Sequence, residues 1–228
     1  MDTDDFNIIE YICFELQENG LGINEFEKWV YHSAEIQVIL SNEDYLDLIS
    51  LDYNSKNIYY EIIRIMDKYI DYRKYETKKI TVLLTRALQK DEKIGEILRN
   101  FYDMYCDGYY FLEDLGLGYG LSCEVPLGAN TWEELSDQQR ISIINSFYPQ
   151  LEQDLKRALI WIESKKIVLS GKRSDYNRWE FIDNRTDEEK KSTVWIEVNG
   201  SKEHKIRKSS FGSKKSEWWK FWSRANNI

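Results

Sequence analysis

Apolar residues recur at helical spacing through most of the first 164 residues. The clearest stripes fall within residues 6–16, 58–69, 80–88, 94–101 and 151–162. Such spacing places apolar side chains on one face of a helix, and each face needs a neighbour to cover it. Glycine is absent from residues 23–94 and proline from residues 1–125, so the first half lacks the usual helix breakers. The pattern predicts a mainly α fold, a helical bundle, over residues 5–164.

The helical texture is interrupted between residues 108 and 128 by the glycine-dense segment GYYFLEDLGLGYGLSCEVPLG. This segment predicts a loop-rich junction within the helical body. Helices are expected to resume at two capping boxes, Thr131 with Glu134 and Ser136 with Gln139. Pro149 has the backbone angle that suits the first position of a further helix.

Beyond residue 165 the apolar residues occur in short runs and no longer in long helical stripes. These runs, KIVLS, RWEFI and TVWIEV, are rich in β-branched and aromatic residues and are separated by polar segments. They predict a small C-terminal antiparallel β-sheet within roughly residues 166–208, and hence an α+β protein overall. We therefore divide the chain into a helical body, residues 1–164, and a small β appendage with a basic, Trp-rich tail, residues 165–228.

Charge is segregated along the chain. Residues 1–63 carry fourteen acidic and two basic side chains, whereas residues 201–228 carry eight basic and two acidic ones. The whole chain has 31 Lys+Arg and 40 Asp+Glu, so its formal net charge is 31 − 40 = −9. This balance disfavours direct binding of nucleic acid and suits a basic protein partner.

The three cysteines, Cys13, Cys106 and Cys123, are far apart and odd in number. They predict neither a disulfide framework nor a thiolate zinc site, and they suit a reducing cytoplasm. The N-terminal segment is acidic where a secretory signal is basic, and no apolar run approaches the roughly 18 residues of a membrane span. We expect a cytoplasmic protein with no membrane span.

Few residues indicate a cofactor or a catalytic site. Gly116, Gly118 and Gly120 lack the third glycine of a dinucleotide-binding loop, because Leu121 stands there. The two histidines, His32 and His204, are too few for a His-rich metal site. We therefore predict no cofactor and no structural metal.

Two groups of carboxylates remain as candidates. Glu113, Asp114 and Glu124 flank the glycine-rich junction, where paired carboxylates could serve a hydrolase. The second group indicates a surface that meets a positive partner, and consists of Glu43, Asp44, Asp47, Asp52 and the following Tyr53. Asp44 also suits a simpler role near a helix start, and the group as a whole could be an ordinary solvated face.

The C-terminal WWKFW places Trp218, Trp219, Phe221 and Trp222 among lysines and an arginine. Aromatic and cationic side chains together suit a membrane interface or a terminal helix docked on its own fold. Self-docking is favoured because the stretch is short and the first half of the chain supplies opposite charge.

Two segments carry a family resemblance. Residues 108–126, GYYFLEDLGLGYGLSCEVP, and segments within residues 131–186, including SFYPQLEQDLKRALIWIESKKIVLSGK and RWEFIDNRT, resemble uncharacterised bacterial proteins. Some of these look like immunity partners in polymorphic toxin loci. The resemblance implies a cytoplasmic protein that binds and blocks one cognate toxin domain, for which a basic nuclease would suit the acidic charge. It transfers no catalytic residue.

The sequence thus favours a non-enzymatic, immunity-type protein whose acidic N-terminal half, or the Tyr-rich surface beside it, covers the active site of a cognate protein toxin. The alternative is a hydrolase with a carboxylate-based site near residues 108–128. The oligomeric state is not indicated by any pattern in the chain.

If no structural metal and no disulfide contributes to folding, neither a chelator nor a reductant should change the melting temperature. Thermal denaturation with and without each reagent measures this. A fall of many degrees with either reagent would reveal a site that the residue spacing does not show.

Overall fold

A computed structural model describes residues 6–18, 20–191, 196–198 and 201–203, with side chains described up to residue 191. It confirms a mainly α fold with a small amount of β-structure. The helices in the described ranges are α1 (Ile8–Glu18), α2 (Ile23–His32), α3 (Ala34–Ile39), α4 (Asn42–Ile49), α5 (Ile58–Met66), α6 (Tyr72–Leu88), α7 (Ile94–Cys106), α8 (Leu121–Glu124), α9 (Asp137–Phe147) and α10 (Gln150–Glu163). The strands are β1 (Ile167–Arg173), β2 (Trp179–Asp183), β3 (Ile196–Val198) and β4 (Ser201–Glu203). Within these ranges, no helix has the length and apolar character needed to cross a bilayer.

The chain divides into two compact units, residues 1–184 and 185–228. The first unit contains α1–α10 and the β1–β2 hairpin. The sequence-based division at residue 164 differs from this one, because the hairpin packs on α6 and α10 of the helical body. In the second unit, β3 and β4 form an antiparallel pair in which Ile196 is opposite Glu203. The Trp-rich tail, with Trp218, Trp219, Phe221 and Trp222, lies outside the described residues.

The first unit has two hydrophobic cores. The apolar stripes of α1–α5 form the first core, with Ile9, Phe26, Ile36, Leu48 and Ile62 fully buried. The second core is formed by α6, α7, α10, β1 and the segment between α7 and α9. Helix α6 belongs to both, since Tyr75 packs in the first core and Ile80, Leu83 and Leu84 pack in the second.

A buried carboxylate fixes the start of α6 against α1. Glu10 is nearly inaccessible to solvent, and its two oxygens accept hydrogen bonds from the backbone N–H groups of Asn7 and Asp71, each 2.9 Å long. Asp71 in turn caps α6 by accepting from the N–H of Arg73 at 3.0 Å. These bonds satisfy a carboxylate that would otherwise be costly to bury.

The central part of the glycine-rich junction is helical, so the loop predicted over residues 108–128 is wrong for residues 110–124. Residues Asp114–Gly120 form a π-helix that continues into α8. Gly116 and Gly120 face α7, where an added Cβ would lie 2.9 Å from the carbonyl oxygen of Phe101 at the first position and would overlap that of Leu98 at the second. A glycine repeat that permits two helices to touch looks, in sequence, like a repeat that permits turns.

Two further glycines bring the hairpin onto the helices. Gly171 has φ +69° and lies where the β1–β2 register shifts, and a Cβ there would overlap the backbone of Arg73. Gly108 has φ +118° at the end of α7, and its Cβ would be 2.7 Å from the carbonyl oxygen of Trp179. The N–H of Trp179 donates to the carbonyl of Asp107 at 2.8 Å. Because both glycines have positive φ, a side chain at either site would also strain the backbone.

Of the two predicted capping boxes, the one at Ser136 begins a helix and the one at Thr131 does not form. Ser136 accepts from the N–H of Gln139 at 3.4 Å, and Gln139 accepts from the N–H of Ser136 at 2.9 Å, as a capping box requires. Thr131 makes no side-chain cap and precedes a short 3₁₀ segment instead. Pro149 is the residue before α10, one position earlier than expected.

The substitution Gly120→Ala should lower the free energy of unfolding by about 1–3 kcal/mol, because the new methyl group must push α8 and the π-helix away from α7. Urea denaturation measures the change. Gly22→Ala is the control, because a Cβ there meets only ordinary contact at 3.5 Å. Equal stability of the two variants would contradict close packing at Gly120.

Candidate functional site

The predicted partner-binding carboxylates separate into exposed and interior groups. Glu43 and Asp47 lie on the outward side of α4, one helical turn apart, and both are exposed. Asp52 is exposed in the following turn, where it accepts from the N–H of Asn54 at 3.1 Å. These three carboxylates are available to a partner.

Asp44 is engaged inside the fold and is 6 % exposed. Its Oδ1 lies 2.6 Å from Nζ of Lys68, and its Oδ2 accepts from the hydroxyls of Ser41 and Tyr69, each at 2.5 Å. The hydrogen bond from Lys68, with those from Ser41 and Tyr69, lowers the pKa of Asp44 from 3.8 to about 2. This placement corrects the assignment of Asp44 to the partner-binding surface, because its carboxylate holds the start of α4 to the residues after α5.

Tyr53 is also part of the interior. It is 7 % exposed, and its hydroxyl donates to the carbonyl of Leu48 at 2.9 Å. Its ring centroid lies 6.4 Å from that of Phe26 and 6.5 Å from that of Tyr31. Tyr53 therefore closes the turn after α4 and is not available to a partner, which corrects its assignment to the binding surface.

The sequence reading missed apolar side chains beside the exposed acids. Val38 on α3 is 85 % exposed and Leu46 on α4 is 59 % exposed. Together with their outward neighbours they form a surface that we call the α3–α4 face, made of Glu35, Val38, Ile39, Glu43, Leu46 and Asp47. The sequence does contain a sign of this face, because Val38 and Leu46 lie on the opposite side of their helices from the buried residues Ile36 and Leu48.

Polar bonds fix α3 and α4 relative to each other and to their surroundings. Gln37 on α3 donates to the hydroxyl of Tyr45 on α4 at 2.9 Å. The hydroxyl of Tyr31 on α2 donates to the carbonyl of Ile49 at 2.9 Å. The N–H of Ser41, between the two helices, donates to Tyr69 at 2.9 Å. The α3–α4 face is thus preorganised, which reduces the ordering cost of binding.

The three carboxylates of the junction have different surroundings, and Glu113 is partly buried directly before the π-helix. Glu124 is exposed at the end of α8, whereas Asp114 accepts from Arg157 Nη2 at 2.7 Å. The same nitrogen donates to Asp154 on α10 at 2.6 Å, and Asp154 also accepts from Tyr119 at 2.7 Å. Burial raises the pKa of Asp154, opposed by Tyr119 and by the positive charge of Arg157. These bonds attach the π-helix to α10, which is a structural role.

A cleft of about 480 Å³ lies in the first unit between α6, the end of α7 and the β1–β2 hairpin. Its central polar group is Glu76, which is 6 % exposed and accepts from the hydroxyl of Tyr109 at 3.0 Å. Burial raises the pKa of Glu76, an effect that nearby Lys79 and the bond from Tyr109 oppose. We call this the Glu76 cleft; sequence reasoning missed it because its lining comes from residues 17–179.

Aromatic residues contribute to the cleft wall beside its polar groups. Tyr109 and Trp179 are stacked with centroids 6.1 Å apart and an interplanar angle of 7°. Tyr72 packs against Trp179 at 5.7 Å, and the guanidinium of Arg173 lies 4.1 Å from the centroid of the Trp179 ring. The backbone contacts at Gly108 and Gly171 place these hairpin residues.

The described residues offer no group of three or more His, Cys, Asp or Glu side chains that could hold a metal ion. Burial raises the pKa of Cys13 and of Cys123 to about 12, so neither thiol is activated as a nucleophile. Both are free, as is the partly buried Cys106. His32 is exposed at the end of α2, where its Nδ1 lies 2.6 Å from the carbonyl oxygen of Lys28, and His204 lies outside the described ranges.

Comparison with protein-family models, with curated proteins and with solved structures finds no match to this chain. The likeness of residues 108–126 and 131–186 to immunity-type proteins therefore stays a prediction.

The Asp44 ion pair makes stability depend on pH. The pKa of Asp44 is about 2 in the folded protein, below its ordinary value of 3.8. The ion pair therefore stabilises the fold fully at pH values above 3.8, and this stabilisation is lost as the pH falls towards 2. Lys68→Met should reduce this loss, since it raises the pKa of Asp44 in the folded state. Urea denaturation of both proteins between roughly pH 5 and pH 2 measures the two profiles; parallel profiles would contradict the pairing.

Proposed function

We propose that this protein binds a basic protein domain through the α3–α4 face and thereby blocks it, as an immunity-type inhibitor in the cytoplasm. The observation that carries the proposal is the exposure of Val38 and Leu46 on two helices that also carry the exposed acids Glu35, Glu43 and Asp47. Side chains this apolar and this exposed, surrounded by charge, are typical of protein interfaces.

The two kinds of side chain would have different effects on binding. The exposed carboxylates steer a positive partner towards the face and raise the association rate. The apolar side chains are removed from water only after docking, so they slow dissociation. The partner is a protein rather than a nucleic acid, because the acidic face and the net charge of −9 repel phosphates.

A toxin domain with a basic active-site cleft has the chemistry that this face would recognise. A basic nuclease is one such domain, because it must bind phosphates. The resemblance in residues 108–126 and 131–186 adds the immunity role. The alternative, a hydrolase near residues 108–128, has less support because Asp114 is bound by Arg157 and Glu124 is exposed at a helix end.

The charge reversal Glu43→Lys, Asp47→Lys and Asp52→Lys should slow association with the proposed cognate toxin domain by at least about tenfold at low salt, and less at high salt. Val38→Ser with Leu46→Ser should instead raise the dissociation rate. Interferometry with the purified domain separates the two rates, and growth rescue on co-expression gives an independent readout.

The control for charge is the triple reversal Asp175→Lys, Glu180→Lys and Glu163→Lys, which changes the net charge equally at exposed sites on other elements. It should affect association far less than reversal on α4 and the turn after it. Equal effects of the two triple variants, or unchanged rates in both α3–α4 variants, would remove this face from the proposal.

A further inference from the structure

We propose that the Glu76 cleft is a binding site for a small organic ammonium ion, with the ammonium group at Glu76 and its apolar part against the rings of Tyr72 and Trp179. This site is separate from the α3–α4 face. It adds a small-molecule ligand to a protein whose proposed function needs none.

Glu76 has hydrogen-bonding capacity to spare. A carboxylate has about four lone-pair positions, and among the described residues only the hydroxyl of Tyr109 donates to it. An ammonium group has three N–H donors and no acceptor, so it can fill the remaining positions without leaving a lone pair of its own unmet. Because burial raises the pKa of Glu76, a cation beside it would stabilise the charged carboxylate.

The charges that line the cleft favour a cation over an anion. Three carboxylates, Asp67, Glu76 and Asp107, face two cations, Lys79 and Arg173. Lys79 is already paired with Glu18 at 2.7 Å. Arg173 lies over the ring of Trp179 and donates to the carbonyl of Asn177 at 2.8 Å. A bound anion would be repelled by the excess of carboxylates, and Lys79 and Arg173 already have other partners.

The size and walls of the cleft limit the rest of the ligand. A volume of about 480 Å³ accepts a compact molecule with one ring. Met104 and the rings of Tyr72 and Trp179 line the cleft and offer apolar and aromatic contact to such a ring. The ligand class is therefore an arylalkylamine or a compound of similar shape and charge.

Three probes of matched shape test the proposal by titration calorimetry on the full chain. They are phenethylamine, which is cationic at neutral pH, the neutral phenethyl alcohol and the anionic 3-phenylpropionate. We expect phenethylamine to bind and to bind about tenfold more tightly than the other two, since a hydrogen bond to a charged group is stronger than a neutral one. Equal binding of all three, preference for the anion, or no binding of the amine would overturn the proposal.

Two variants place the amine in the cleft. Glu76→Gln keeps an acceptor for Tyr109 but removes the charge, and should weaken phenethylamine binding about tenfold. Asp107→Asn removes one of the three lining carboxylates at an exposed position, so it should weaken binding severalfold while leaving the melting temperature unchanged. The second variant keeps the test valid if the first fails to fold.

Matched controls are Glu180→Gln and Asp175→Asn, which make the same chemical changes at exposed residues outside the cleft lining. They should leave binding of the amine unchanged. If Asp107→Asn binds phenethylamine as tightly as the natural chain does, or if Asp175→Asn weakens binding equally, the amine is bound elsewhere and the proposal fails.

Discussion

The second core of this protein depends on main chains that approach each other more closely than side chains normally allow. Gly116 and Gly120 let the π-helix Asp114–Gly120 lie against α7, and Gly108 and Gly171 let the β1–β2 hairpin lie against α7 and α6. A Cβ at any of the four would meet backbone or a buried side chain. Large apolar residues fill the space around these contacts. The packing density of the second core therefore depends on glycine at these four positions.

The same constraint explains which parts of the fold were predictable. Helices α1, α5, α6, α7 and α10 have long apolar stripes, and local periodicity is enough to identify them. The helical conformation of the junction was not predictable, because a glycine that permits close helix contact cannot be told from a glycine that permits a turn by sequence alone. The contact with α7, which lies eight or more residues away in the chain, distinguishes the two roles.

The candidate site was predictable to the extent that it is local. Glu43 and Asp47 are exposed as their spacing indicated, but Asp44 between them is interior because Lys68 and Tyr69, directly after α5, bind it. The Glu76 cleft depends still more on distant residues, since Tyr109 and Trp179 reach Glu76 only after the hairpin has docked. A sequence pattern indicates which face of a helix a residue lies on. Whether that residue is buried or exposed also depends on contacts with residues distant in the chain.

The outward side chains of α3 and α4 belong to neither hydrophobic core. Ile36 and Leu48 beneath them are fully buried and hold the two helices in place, while Val38, Glu43 and Leu46 above them contribute little to folding. Variants of this protein could therefore exchange the outer residues one at a time without losing the fold. The chemistry of this surface can thus change over an interior that the buried residues hold constant.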